Sequence, residues 1–263
     1  MGKKIEYGVE EVVKDMGVLT LTHPFNFVKT LIQIGHEPLP KYTAKSWTLK
    51  DKQYYPGLVQ YLSHIGQQDG FFGLYRGLVP RVYTALTFNL SRRLANEMLE
   101  KHFTEDEIHD SDDAVVACTK MAKACTKDSI AEIVGLAISH PFYVIAVRSM
   151  SQFIGRETAY DNLLSSVAEI LENEGVSGFF KGFLPKAIGS VVAIWTARFL
   201  SHAFRKSLEA TTEADIKENN ETYKTVQKAY VPIIGNLVAS TLTYGFLVTA
   251  TCMQKFFCTH FLQ

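Results

Sequence analysis

The chain has 263 residues, with 27 Lys plus Arg against 27 Asp plus Glu. That is room for one large domain or two small ones, with no net charge drawing it to nucleic acid. Apolar residues make up 47% and mean hydropathy is near zero, ordinary for a soluble protein and low for a membrane protein. Cys118, Cys125, Cys252 and Cys258 form no C-x-x-C pair and no cluster with zinc spacing, so a reduced intracellular protein without metal or cofactor is expected. The first residues are polar and lack an apolar h-region, and Gly2 is not followed by a myristoylation pattern, so neither a secretory signal nor that lipid is expected. Asn220-Glu221-Thr222 is a glycosylation sequon, a pattern common by chance. There is no Gly-x-Ser-x-Gly, phosphate loop or paired metal-ligand helix, so the chain is not expected to be an enzyme and offers no catalytic residue.

The first predicted helix contains Pro24. Thr22, Asn26, Lys29 and Gln33 recur on it at spacings of four, three and four, which puts them on one face. That stripe faces either a cavity or, on a soluble helix, solvent. Lys29 is either a functional lysine in a membrane helix, a costly placement, or one that snorkels to an interface. A loop around Pro38 to Tyr55 follows, then a short amphipathic helix over Pro56–Gln68. The Gly-rich turn Asp69-Gly70-Phe71-Phe72-Gly73-Leu74-Tyr75-Arg76-Gly77 comes next.

A second long helix has Pro80 near its start, where a missing N–H costs least. It carries Thr84, Thr87, Asn89, Ser91 and Arg92, with Arg81 expected as an interfacial anchor. Lys120, Lys123, Lys127, Asp128 and Glu132 then lie at helical spacing, a charged face expected to protrude as a solvated extension. Ile133–Val147 is uncharged for 15 residues. A second short helix is expected over Tyr160–Glu172, its apolar residues at the spacing of a surface-lying helix. The turn Glu174-Gly175 to Lys181-Gly182 follows. Pro185 opens a further helix with Ser190, Thr196 and Arg198, and with Lys186 as another anchor. Ala229–Gln254 is 26 residues without a charge, where about 20 cross a bilayer core. Its Pro232, Asn236 and threonines suit a helix with one face in lipid and one in a polar interior.

These elements repeat. His23-Pro24-Phe25 returns as His140-Pro141-Phe142, and each is followed by acidic-Gly, aromatic-basic-Gly and Pro. A third copy starts at Tyr244-Gly245-Phe246. Pro24 to Pro141 is 117 residues, Gly70 to Gly175 is 105 and Pro141 to Gly245 is 104; the extra 12 residues fall in the first loop. Internal repeats fix architecture. The expected units are repeat 1 over 1–105, repeat 2 over 106–210 and a truncated repeat 3 over 211–263. Only 18 residues follow Gly245, too few for a sixth helix, so an all-α membrane protein with five transmembrane helices, short surface helices and termini on opposite sides is expected. A soluble bundle is the competing fold. His23 and His140 occupy equivalent positions, which suggests a structural role.

The motif series (Pro24, Gly70, Gly77 and Pro80; Pro141, Gly175, Gly182 and Pro185) resembles the mitochondrial solute carrier family, and over the whole chain. Two stretches, Leu31–Pro40 and Arg148–Glu157, resemble its divergent branch, the mitochondrial carrier homologs. The resemblance implies three tandem two-helix repeats around a central cavity, with Ser190 on its wall, although a small packing residue is an equal reading. Solute carriers place an acid two residues after each odd-helix proline and a base five after. Here those positions hold Asn26, Tyr143 and Leu247, then Lys29, Ala146 and Ala250. Lys29 alone survives of six gate charges, so the carrier's electrostatic gate cannot form.

A ring lacking one helix is expected to open sideways to lipid, between the first and fifth helices. The groove candidates are Lys29, Asn26, Thr22, Gln33, Thr87, Arg92, Ser190, Arg198 and Asn236. The resemblance implies a multi-pass protein of the mitochondrial outer membrane that inserts tail-anchored clients through this groove. The competing activities are phospholipid scrambling, docking of a pro-apoptotic BH3 protein, and residual solute exchange. Membrane lipids are expected partners and nucleic acid is not.

Overall fold

The computed structural model describes residues 2–45, 51–102, 114–156, 158–211 and 221–255. Cys258 and Asn220 of the sequon lie outside them. The described elements run α1 (Gly2–Gln33), β1 (Tyr42–Lys45), β2 (Asp51–Tyr54), α2 (Leu58–Gly73), α3 (Leu78–Glu100), α4 (Ala114–Gly155), α5 (Leu163–Glu174), a 3-10 turn (Val176–Phe180), α6 (Phe183–Thr211) and α7 (Glu221–Lys255). Five of these helices are long, and the fold is that of an all-α membrane protein. The stretches Val115–Gly155, Val176–Ser207 and Ala229–Lys255 are long and apolar enough to cross a bilayer. The expected short helices are present at Leu58–Gly73 and Leu163–Glu174. The first loop contains an antiparallel hairpin, with Tyr42 opposite Tyr54 and Lys45 opposite Asp51. Aromatic cross-strand pairing of this kind stabilises short ladders.

The described residues form two compact units. The first comprises residues 1–87, 139–182 and 251–263. Its core joins Phe27, Val28, Leu31 and Ile34 of α1 to Tyr61 and Ile65 of α2 and to Tyr143, Ala146, Val147, Met150 and Phe153 of α4. The α1 residues follow an i, i+1, i+4, i+7 pattern, one stripe of a helix. Three of the lost gate charges are thereby explained. Tyr143, Ala146 and Ala250 are buried, two of them in this core, where a charge would carry a heavy desolvation cost.

The end of α1 is tied down by residues distant in sequence. Gly35 has φ +82°, and the N–H of His36 donates to the Leu31 carbonyl at 2.9 Å, the left-handed helix ending that glycine favours. The Tyr61 hydroxyl donates to the His36 carbonyl at 3.0 Å. Lys255 Nζ donates to the Ile34 carbonyl at 3.0 Å and Cys252 Sγ to the Gln33 carbonyl at 3.3 Å. Carbonyls left over at a helix end are thus satisfied by side chains of α2 and α7.

The repeat motif has one physical meaning in both copies. His23 Nε2 donates to the Arg76 carbonyl at 3.0 Å, and His140 Nε2 to the Lys181 carbonyl at 3.1 Å. Both rings are almost wholly buried. Each stacks near the aromatic residue of its turn, Tyr75 or Phe180. Each histidine therefore fastens an odd helix to its own Gly-turn. Gly77 and Gly182 follow those carbonyls with φ +78° and +75°. A Cβ on Gly77 would also lie 3.0 Å from the Ala146 carbonyl oxygen, so glycine lets α3 begin directly against α4.

The second unit comprises residues 88–138 and 183–250. Its helices pack through polar as well as apolar contacts, described next.

Candidate functional site

The charged face of α4 projects into solvent only in part: Lys123 is exposed as expected, whereas the two acids turn to other helices. Asp128 pairs with Arg198 of α6, and Glu132 lies 3.4 Å from Arg92 of α3. Lys127, nearly buried, lies 4.0 Å from Glu100. Trp195 Nε1 donates to Ser129 Oγ at 3.2 Å. The reason is the spacing: Asp128 and Glu132 are one turn apart and share a face, and that face meets two helices that each supply an arginine. The unit therefore neutralises its interior acids by inter-helix pairing, the arrangement a low-dielectric setting requires.

Arg92 and Arg198, both expected on the groove, are thus engaged with α4. Ser190 and Asn236 do come together. They line one cavity of about 410 Å³ between α6 and α7, with Lys186, Ala193, Ser240 and Thr243 among the other walls. The Ser240 and Thr243 hydroxyls donate to the carbonyls of Leu237 and Ala239 within their own helix. Leu247, at a former acid position of the gate, also lines it. Lys186, expected as an anchor, is the one charged residue among the described lining residues.

Glycines set the spacing of the two helices. A Cβ on Gly235 would sit 2.5 Å from Ser201 Oγ and 2.9 Å from the Ala197 carbonyl, and one on Gly189 would sit 2.8 Å from Phe246 Cβ. Small residues at such points let helix backbones approach closely. Most of the cavity lining lies between these two close contacts, with Lys186 and Leu247 just beyond the second. Around it α6 and α7 present apolar side chains outward: Ile188 and Val192 on α6, and Ile233, Leu237 and Leu242 on α7, are all exposed.

The remaining candidates belong to the first unit. Thr22 and Lys29 are exposed, and Asn26, Gln33 and Thr87 are half-buried. The α1 four lie on the side away from Phe27, Val28 and Leu31. Thr22 and Asn26 bond within α1, the hydroxyl to the Val18 carbonyl at 2.7 Å and the amide to the Thr22 carbonyl at 3.2 Å. Thr87 likewise donates to the Tyr83 carbonyl at 2.7 Å. Arg81, the other expected anchor, lies over the Tyr143 ring at 5.5 Å, a cation–π contact.

Sequence reasoning missed a buried charge cluster in the first unit. Arg148 makes two hydrogen bonds to Glu174, at 3.0 and 2.8 Å, and Lys181 Nζ lies 3.0 Å from the same carboxylate. Arg148 and Glu174 are 1% and 7% exposed. Glu174 lies outside the apolar spans. Burial alone would raise its pKa, but hydrogen bonds and charge from Arg148 and Lys181 outweigh that and hold it below the ordinary carboxylate value. The only sequence signal was an arginine closing an uncharged run, with the acid 26 residues later.

The mitochondrial carrier protein family model matches residues 13–107 and 120–209. Mouse mitochondrial carrier homolog 1 is 32% identical over 249 residues, covering 90% of this chain; the chain spans 63% of that relative. Human mitochondrial carrier homolog 2 is 31% identical over 255 residues, covering 92% of this chain and 78% of the relative. A mitochondrial thiamine pyrophosphate carrier of Pyricularia oryzae is 24% identical over 221 residues, 82% of this chain and 63% of the relative. With three spans of membrane length, these matches describe a mitochondrial membrane protein. The chain belongs to the mitochondrial carrier family, in the branch of the mitochondrial carrier homologs.

Proposed function

We propose that this protein inserts α-helical membrane segments, tail-anchored proteins above all, into the mitochondrial outer membrane and does so without enzymatic chemistry. The observation that carries the reading is the α6–α7 cavity, a mostly apolar groove into which Lys186, Ser190 and Asn236 bring polar groups, beside the exposed apolar faces of the same two helices. A tail-anchored client presents the same two demands. Its apolar helix needs hydrocarbon, and its polar end must cross it, at a cost of several kcal/mol for each unsatisfied backbone group. Polar groups set in an apolar groove beside lipid lower that barrier without enclosing the client. The packing of Tyr143, Ala146 and Ala250 into the interior supports the reading, because it leaves no ion-pair gate for a closed solute cycle.

The test uses the full chain in liposomes with a fluorescent tail-anchored client. Insertion faster than in protein-free liposomes is expected, together with a change in rate on Lys29→Glu, which reverses one exposed charge of α1. Equal rates with and without protein reject the reading. Solute exchange is the second reading, favoured by the match to a thiamine pyrophosphate carrier. Saturable exchange of a phosphorylated metabolite across sealed vesicles would establish it instead.

A further inference from the structure

We propose that the α6–α7 groove seats the apolar span of a client helix and recognises a polar side chain within that span through Asn236. This rests on the insertion reading and names the class of client that the groove takes. The groove walls are mostly apolar or small, with Gly189, Ala193 and Ile194 on α6 and Ala239 and Leu247 on α7. On α7 the lining runs from Asn236 to Leu247, roughly 16 Å at 1.5 Å per residue, or about three helical turns. Such a surface suits the flank of an apolar helix, which packs closely where the facing residues are small.

Asn236 departs from that character. It stands seven residues inside the apolar stretch Ala229–Lys255 and is exposed, with Ile233 and Leu237 exposed beside it. Ser240 and Thr243 of the same lining donate to carbonyls of their own helix. The Asn236 amide makes no hydrogen bond to any described residue, although it carries two donors and an acceptor. An amide in hydrocarbon is costly until it is paired. A lone polar side chain on a client span has the same deficit. When the two meet in the groove, one hydrogen bond between helices relieves both.

The α6 wall is already in place for this contact. Trp195 and Arg198 hold α6 on α4 through Ser129 and Asp128. A pre-positioned wall limits the ordering cost of binding.

The experiment uses the full chain in phosphatidylcholine liposomes and a tail-anchored peptide whose span is leucine and alanine. Glutamine is placed at four consecutive positions of the span, one per peptide, so that every face of the helix is sampled. In protein-free liposomes each glutamine slows insertion, because an unpaired amide is costly in hydrocarbon. With the protein, one or two of the four glutamine peptides are expected to regain about threefold in rate relative to the others, the effect of one hydrogen bond between membrane helices. Asn236→Leu should abolish that positional gain and Asn236→Gln should keep it. Protein-dependent insertion with no gain at any position overturns the recognition and leaves the insertion reading standing. If Asn236→Leu slows every peptide by one factor and the gain remains, the amide serves lipid headgroups or the fold, which also overturns it. A dimer that Asn236→Leu converts to monomer assigns the groove to a second copy of the chain and overturns it as well. No protein-dependent insertion of any peptide rejects the insertion reading itself.

Discussion

The two Gly-turns of the chain solve one packing problem in different ways. In both, a buried histidine beside a helix proline donates to the carbonyl that precedes a left-handed glycine. Seven residues after the proline the copies part. Repeat 1 places Leu31 there and repeat 2 places Arg148, and both are fully buried. Leu31 joins an apolar core, whereas Arg148 reaches the acid of its own Gly-turn. In repeat 1 that acid, Asp69, instead pairs with Arg76 at 3.1 Å in a partly exposed bridge. The histidine clasp is therefore the shared device. The closure beneath it can be hydrophobic or ionic.

The largest effect should come from breaking the ionic closure. Arg148→Ala leaves Glu174 buried beside Lys181 alone, and loss of one partner of a buried pair costs about 3–5 kcal/mol. Thermal unfolding in detergent should show a large fall in midpoint. The double change Arg148→Leu with Glu174→Leu should recover much of it, since a well-packed apolar pair often replaces a buried ion pair without loss. Failure to recover would mean that repeat 2 cannot accept the repeat 1 solution.

Leu31→Ala is the matching test in repeat 1, with about 2–5 kcal/mol expected from lost burial and the cavity left behind. Its cost should be insensitive to salt and pH, and a dependence on either would blur the contrast.

The smallest effect is the acid response of the ionic closure. Glu174 has a folded pKa held below its ordinary value. Its contribution is therefore fully present above the unfolded value of about 4.3 and lost as pH falls through the folded one. Stability measured from pH 7 to pH 5 should be flat in this respect and fall below about pH 4. Glu174→Gln should remove that part of the acid loss. An unchanged acid profile in that variant would place the sensitive groups elsewhere.

Much of this architecture was legible in the chain because its signals are local. Pro80 and Pro185 each stand third in a helix, where a proline is tolerated. Gly77 and Gly182 mark the left-handed turns, and the uncharged run from Ala229 became the apolar part of one helix. The first loop was less legible. Its hairpin depends on pairing Tyr42 with Tyr54, a contact between strands that no local period announces. The charged face of α4 misled for a related reason. Lys120 to Glu132 has the composition of a solvated helix, and only the arrival of Arg92 and Arg198 turns its acids inward.

Sequence by itself determined the repeat, the helices, the structural place of the two histidines and the loss of the gate charges. Each follows from residue identity at a fixed spacing along one segment. Tertiary structure decided which polar residues act together. Ser190 and Asn236 share a cavity because Gly189 and Gly235 let α6 and α7 approach. Arg92 and Arg198 are withdrawn from it because α4 offers them carboxylates. Lys186, which looked like an anchor, lines it. Helical spacing states which side chains share a face, but the partner of that face is set by helix packing.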